Sequence, residues 1–244
     1  DGLEKSVIKS SKRCNNTAGE AALNKVARRV VSGAENPPTF SLRVFDIRQA
    51  GNKKLVNAFA LPGGRMVFSA GLIDDAQSAD EVAGVLAHEL GHVALRHPEA
   101  AIVRVYGLQM LLNLFSAGQG AETLSNLAGV LAVLRYSRAA EAEADEYAVK
   151  GLNEAQVDPK GLQTFFARLL KKSMPGLSPK STGGDGVENI DENSLGSRLK
   201  PLADMFSTHP GTEARIDAIR PRPGGTQPPV LTQAEWAALK NICQ

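Results

Sequence analysis

Asp80-Glu81-Val82-Ala83-Gly84-Val85-Leu86-Ala87-His88-Glu89-Leu90-Gly91-His92 places Val82, Val85, Leu86 and Leu90 at helical spacing and ends in an H-E-x-x-H string. The spacing predicts a helix capped by Asp80 and running to about Arg96, with Pro98 just beyond its end. Two histidines four residues apart on a helix are separated by about 40° around the axis and about 6 Å along it. Both imidazoles can therefore reach one ion at zinc–nitrogen distances of about 2.0–2.1 Å. Glu89 lies on a neighbouring stripe, too far round to be a third ligand of that pair but placed to take a proton from water at the metal. His accounts for only four of the 244 residues. Chance yields such a string roughly 0.004 times per chain, so incidental histidines on a plain helix are the weaker reading.

A catalytic zinc needs a third protein ligand and an open fourth place. The extended form of the motif, with a Gly and a third His downstream, is closed here, because Leu95 and Pro98 stand at those places. His97 lies about 140° around an extrapolated helix from His92 and is expected to contact the carbonyls at the helix end. The next source of ligands is the helix predicted over residues 137–152. There Glu141 and Asp145 border the small apolar face of Ala140, Ala144, Tyr147 and Ala148, while Glu143, Glu146 and Lys150 gather on the other side. A carboxylate beside a core face is costly unless something compensates it, and a metal ion does so. Glu141 is thus expected to be the third ligand. Asp145, one turn on, is expected to hold a zinc-binding His by its other ring nitrogen. The plain alternative is an alanine-rich helix with solvated acids.

Working outward, residues 19–31 form an amphipathic helix, and residues 41–47, 55–61 and 65–69 read as short strands. Pro62-Gly63-Gly64 supplies a hairpin turn between the last two. Further helical stretches are expected over residues 100–115, 121–135 and 159–172. The Gly-, Pro- and Ser-rich residues 173–197 are expected to form a mobile surface loop near the cleft. A second Pro/Gly-rich connector, residues 221–229, leads to a terminal helix docked by Trp236 and Leu239. The expected organisation is an N-terminal extension (1–18), a catalytic domain (19–220) and a connector with a C-terminal helix (221–244).

Hydrophobic residues make up 43% and charged residues 22%, the balance of an ordinary globular chain. A net charge of +2, with both signs interspersed, gives no electrostatic footprint for nucleic acid. No apolar run approaches the ~18–20 residues of a spanning helix. Cys14 and Cys243, near opposite ends of the chain, either bridge or remain two unrelated thiols.

His88 to His92, followed by Ser137-Arg138-Ala139-Ala140-Glu141-Ala142-Glu143-Ala144-Asp145, resembles the H-E-x-x-H and E-x-x-x-D pair of the HtpX-like, BepA-like and CAAX-prenyl-endopeptidase-like zinc peptidases. Asn57-Ala58-Phe59-Ala60-Leu61-Pro62-Gly63-Gly64 is similar to that family's substrate-side strand and turn, and Thr208-His209-Pro210 through Arg215 to its distal H-P…R element. The resemblance runs over about residues 19–220. It implies an α+β, mostly helical zincin-type domain of the gluzincin kind, with a small sheet beside the H-E-x-x-H helix and one Zn²⁺ held by His88, His92 and Glu141.

With Glu89 as base, the implied activity is endopeptidase cleavage. Residues 55–61 are then an edge strand along the cleft onto which an extended substrate adds, meeting Asn57, Ala58, Phe59 and Ala60. His209 and Arg215 are placed near the metal as oxyanion donors. His209 has a second reading, in which its ring fills the fourth place at the metal and keeps the enzyme latent; a third is that Thr208-His209-Pro210 only caps a helix. The resemblance further implies protein or peptide substrates, membrane or envelope-complex association, and a bacterial envelope quality-control role. It places the protein in the periplasm or anchored through a removed N-terminal segment. Two rivals stand beside this reading: a zinc-binding, chaperone-like module with little turnover, and a structural zinc protein. Neither needs a base beside the metal, so Glu89 speaks against both.

Overall fold

The computed structural model describes residue 8, residues 11–104, residue 107 and residues 135–173, 205–209, 213–220 and 227–244. Residues 121–134 of one expected helix, residues 105–106 and 108–115 of the one over 100–115, residues 174–197 of the loop and residues 221–226 of the connector fall outside the described residues.

In chain order the elements are β1 (Lys12–Cys14), α1 (Thr17–Val31), β2 (Ser41–Asp46), β3 (Ala58–Leu61), β4 (Arg65–Ser69), α2 (Ala70–Asp75) and α3 (Ala79–Ala94). They continue with α4 (Arg138–Glu154), α5 (Lys160–Ser173), α6 (Met205–Thr208), α7 (Glu213–Ala218) and α8 (Gln233–Lys240). Short polar side chains start the helices by accepting from otherwise unpaired N–H groups. Asn16 does so for α1, Ser69 for α2 and Ser137 for α4, and Thr232 and Glu235 form a reciprocal capping box on α8. The cap of α3 is Ser78 rather than Asp80, because the Ser78 hydroxyl accepts from Glu81 N. Asp80 instead accepts from Val230 N and ties in the C-terminal segment.

The four strands form one mixed sheet in the order β1-β2-β4-β3. β1 runs antiparallel to β2, β2 parallel to β4, and β3 antiparallel to β4. The β3–β4 hairpin closes through Gly63 and Gly64, both with positive φ. A Cβ on Gly64 would lie 2.2 Å from Thr39 O, so this turn admits only glycine there. One sheet face, with Val44, Ala58, Met66 and Phe68, joins the main core. The other, with Phe45, Ile47, Phe59, Leu61 and Val67, closes a smaller cluster.

α3 is the axle of the fold. Every residue from Glu81 to His92 is buried, with α4, α5, α1 and β3 packed around it. Two glycines permit the tightest approaches: a Cβ on Gly84 would meet Leu162 at 2.7 Å, and one on Gly91 would meet Ala144 O at 2.9 Å. Buried Glu81 is held bidentately by Arg168 at 2.6 Å on each oxygen, a pairing that removes the penalty of a lone buried carboxylate.

The segments that the sequence set apart as extension and tail pack into this body. β1 belongs to the sheet, α8 lies on α1, Cys14 and Cys243 are bridged, and Asn16 N donates to Ile242 O. Among the described residues no helix is long and apolar enough to cross a membrane.

Candidate metal centre

α3 carries His88, Glu89 and His92 into the centre of the molecule, and α4 crosses it where Gly91 lets the two backbones approach. That crossing brings Glu141 and Asp145 to the histidines, on the buried side of α4 with Ala144 and Ala148. His209, the residue after α6, joins them. His88, His92, Glu141 and His209 are all buried, and one donor atom from each lies within 4.8 Å of the others.

The separations between donors are those of ligands sharing one ion. His88 Nε2 is 3.1 Å from His92 Nε2, 3.3 Å from His209 Nδ1 and 3.5 Å from Glu141 Oε2. Glu141 Oε1 is 3.4 Å from His92 Nε2 and 3.1 Å from His209 Nδ1. Four ligands at about 2.0–2.1 Å from a tetrahedral zinc stand about 3.3–3.4 Å apart, so these nitrogen and carboxylate donors suit zinc in type and spacing. Both Glu89 oxygens are buried, and the groups that face them are the Ala60 backbone N–H and the His209 imidazole, whose Nε2 is 3.3 Å from Oε1. A buried carboxylate beside an imidazole fits a site that handles protons rather than one that only packs.

The electrostatics separate the two glutamates. Burial pushes the Glu89 pKa up, against the pull of His209 and His88. Glu141 is just as buried, yet His209, His88 and His92 outweigh that burial and hold it well below the usual carboxylate range. Neighbouring groups whose pKa values are driven apart divide the work, one able to exchange a proton and the other fixed as an anion. Burial opposes charge on His88, but Asp145 and Glu141 prevail and raise its pKa to about 9. His92, dominated by burial, is pushed well below its ordinary value.

The expected site residues lie together, with differences of detail. Asp145 Oδ1 is 2.9 Å from His88 Nδ1, the distance at which a carboxylate fixes the far nitrogen of an imidazole. Arg215 is turned toward carboxylates rather than toward open space. Its Nε and Nη2 donate to Asp145 at 2.7 and 2.9 Å, and Nη1 is 2.7 Å from Glu141 Oε2. These contacts engage three of its five N–H groups with carboxylates.

β3 is bonded to β4 alone within the sheet, so it is an edge strand. That edge is covered, however: Tyr136 Oη donates to Ala60 O at 3.3 Å, and Asn57 Nδ2 donates to Thr208 Oγ1 at 3.4 Å. Ala58 belongs to the main core, whereas the Phe59 side chain packs on the far face of the sheet. The edge is faced by the Ala60 backbone, because Asn57 O accepts from Ser69 N on the β4 side and neighbouring residues alternate along the strand.

Two residues at the centre carry no periodic signal. Tyr136 stacks on His92 with ring centroids 3.9 Å apart and 16° between planes, and its N–H donates to Thr208 O. Its placement beside Ser137, just ahead of the ligand helix, was the only pointer in the sequence. His97 does not serve the helix end as expected. α3 stops at Ala94, Arg96 adopts φ 57°, and the chain doubles back to put His97 Nδ1 2.9 Å from His92 Nδ1.

Residues 17–222 match the sequence profile of peptidase family M48. The chain is 32% identical over 167 residues to the mitochondrial metalloendopeptidase OMA1 of Arabidopsis thaliana, which covers 67% of this chain and 29% of that protein. It is 29% identical over 212 residues to a putative beta-barrel assembly-enhancing protease of Vibrio cholerae, covering 82% and 38%. With the metalloprotease LoiP of Escherichia coli it shares 31% identity over 175 residues, covering 69% and 59%. The chain thus spans less than two thirds of the length of each.

Proposed function

The chain belongs to peptidase family M48, and from that premise we propose that it is a zinc metalloendopeptidase, held here in a closed resting arrangement. The observation that carries this reading is the buried cluster of His88, His92, Glu141 and His209 with Glu89 beside it. His88, His92 and Glu141 are the proposed ligands. Zinc held by them supplies Lewis acidity, lowering the pKa of water toward about 7 and polarising a substrate carbonyl.

Glu89, whose pKa is raised by burial, takes the proton from water and returns it to the leaving amine. Asp145 holds His88 in the tautomer that presents Nε2. Arg215 acts as a positioning residue, since its contacts keep Glu141 and Asp145 ionised and in place. An extended peptide adds along β3 through backbone hydrogen bonds, which favours broad sequence tolerance. Its amide groups take over the Ala60 carbonyl now held by Tyr136.

Of the two active roles read for His209, the geometry favours the blocking one. Nδ1 stands at the fourth vertex and Nε2 faces the base, so the ring fills the space that water and a scissile carbonyl need. Thr208 anchors it through Tyr136 N and Asn57. These contacts support a latent form that substrate or a partner opens.

A place in envelope protein quality control, with misfolded or membrane-associated proteins as substrates, is the proposed setting. It is supported by the resemblance to a relative named for beta-barrel assembly and by the Cys14–Cys243 bridge, a bond that persists in oxidising compartments. The test is hydrolysis of a casein-type substrate by the purified chain. Loss on chelation and recovery with Zn²⁺ are expected; cleavage indifferent to chelator would refute the reading.

A further inference from the structure

The two histidines of the H-E-x-x-H string are supported by different partners. His88 Nδ1 faces the carboxylate of Asp145, itself bound by Arg215. His92 Nδ1 faces another imidazole, that of His97, at 2.9 Å, and His97 Nε2 lies 3.2 Å from Glu143 Oε2. The His97 side chain is 10% exposed and that of Glu143 60% exposed. The chain of contacts therefore runs from the metal site to the wall of a cavity of about 220 Å³ open to solvent.

We propose that His97 and Glu143 form a hydrogen-bond relay that fixes His92 in the tautomer presenting Nε2 to the metal, which makes His97 a positioning residue. The inference rests on the zinc site proposed above. With Nε2 directed at the metal vertex, the ring proton of neutral His92 resides on Nδ1. It can only be donated, so His97 Nδ1 must accept and carry no proton. The proton of neutral His97 is then on Nε2, where a carboxylate oxygen waits. Each link has one donor and one acceptor, and no other assignment of the two neutral rings satisfies all three groups.

An imidazole suits this place because it accepts at one nitrogen and donates at the other. The backbone is bent to bring it there: Arg96 is a non-glycine residue in the left-handed region, a conformation retained where surrounding structure demands it. Tyr136 stacks flat on His92, so the ring is fixed both in its plane and across it.

The test measures zinc affinity by chelator competition in the full chain, together with the visible spectrum of the Co²⁺-loaded protein and the melting temperature after zinc is stripped. His97→Phe keeps an aromatic ring but offers no acceptor. It is expected to bind zinc about 10–100-fold more weakly, with a shifted Co²⁺ spectrum. His97→Asn returns an acceptor near the place of Nδ1 and is expected to recover most of the affinity and the spectrum. Glu143→Ala, which leaves the first link intact, is expected to lose less than His97→Phe. Equal affinities in all variants would overturn the relay while leaving the zinc site standing. A loss in His97→Phe that Asn does not recover would assign His97 to packing and also overturn it. A parent chain that binds no zinc would remove the site and the relay together.

Discussion

At the scale of single residues, His209 separates two kinds of active site. If its ring is a stopper, replacing it frees the fourth vertex. His209→Ala should then raise kcat/KM by about 10–100-fold, as expected when a competent state populated at a few per cent becomes dominant. If the ring instead stabilised an oxyanion, turnover would fall about 10²–10³-fold. Peptide hydrolysis, read with zinc content held equal, distinguishes them.

The residues legible in the sequence were those bound to helical periodicity. His88, Glu89 and His92 share one helix, and the inward turn of Glu141 and Asp145 followed from the 3.6-residue repeat against the alanines of α4. What escaped lay where that repeat stops. His97 was placed by extrapolating a helix that ends at Ala94, and the left-handed Arg96 swings it through an angle that no periodicity foretells. The carboxylate contacts of Arg215 depend on how α7 meets α4, a tertiary fact without a local signature.

Among elements, the crossing of α3 and α4 decides whether a metal site exists. Gly91, inside the H-E-x-x-H string, leaves room for Ala144, three residues along from Glu141. Gly91→Ala should push the helices apart by several tenths of an ångström. It should weaken zinc binding more than it lowers the melting temperature of the stripped protein, because ligand geometry is less forgiving than apolar packing. Chelator competition and thermal denaturation check the pair, and unchanged zinc affinity would show that the crossing has slack. The sheet was legible as three short strands and a Pro-Gly-Gly hairpin. Its fourth strand, β1, and the parallel β2–β4 pairing were not, since a three-residue strand shows no alternation and pairing partners are chosen by the whole chain.

For the whole molecule, the two ends of the chain close the body. The Cys14–Cys243 bridge spans 229 residues, a loop long enough for about 5 kcal/mol of stabilisation in the chain-entropy picture. α8 adds the Lys25–Glu235 ion pair and the Lys240 ammonium on the carbonyls of Ile73, Asp74 and Ala76. Within that frame the proposed division of labour gives metal holding to Glu141 and proton handling to Glu89. The most direct measurement is zinc content beside peptide hydrolysis in Glu89→Gln and Glu141→Ala. Glu89→Gln should retain about one zinc per chain and lose hydrolysis, whereas Glu141→Ala should lose zinc itself. Full activity in Glu89→Gln, or undiminished zinc in Glu141→Ala, would contradict it.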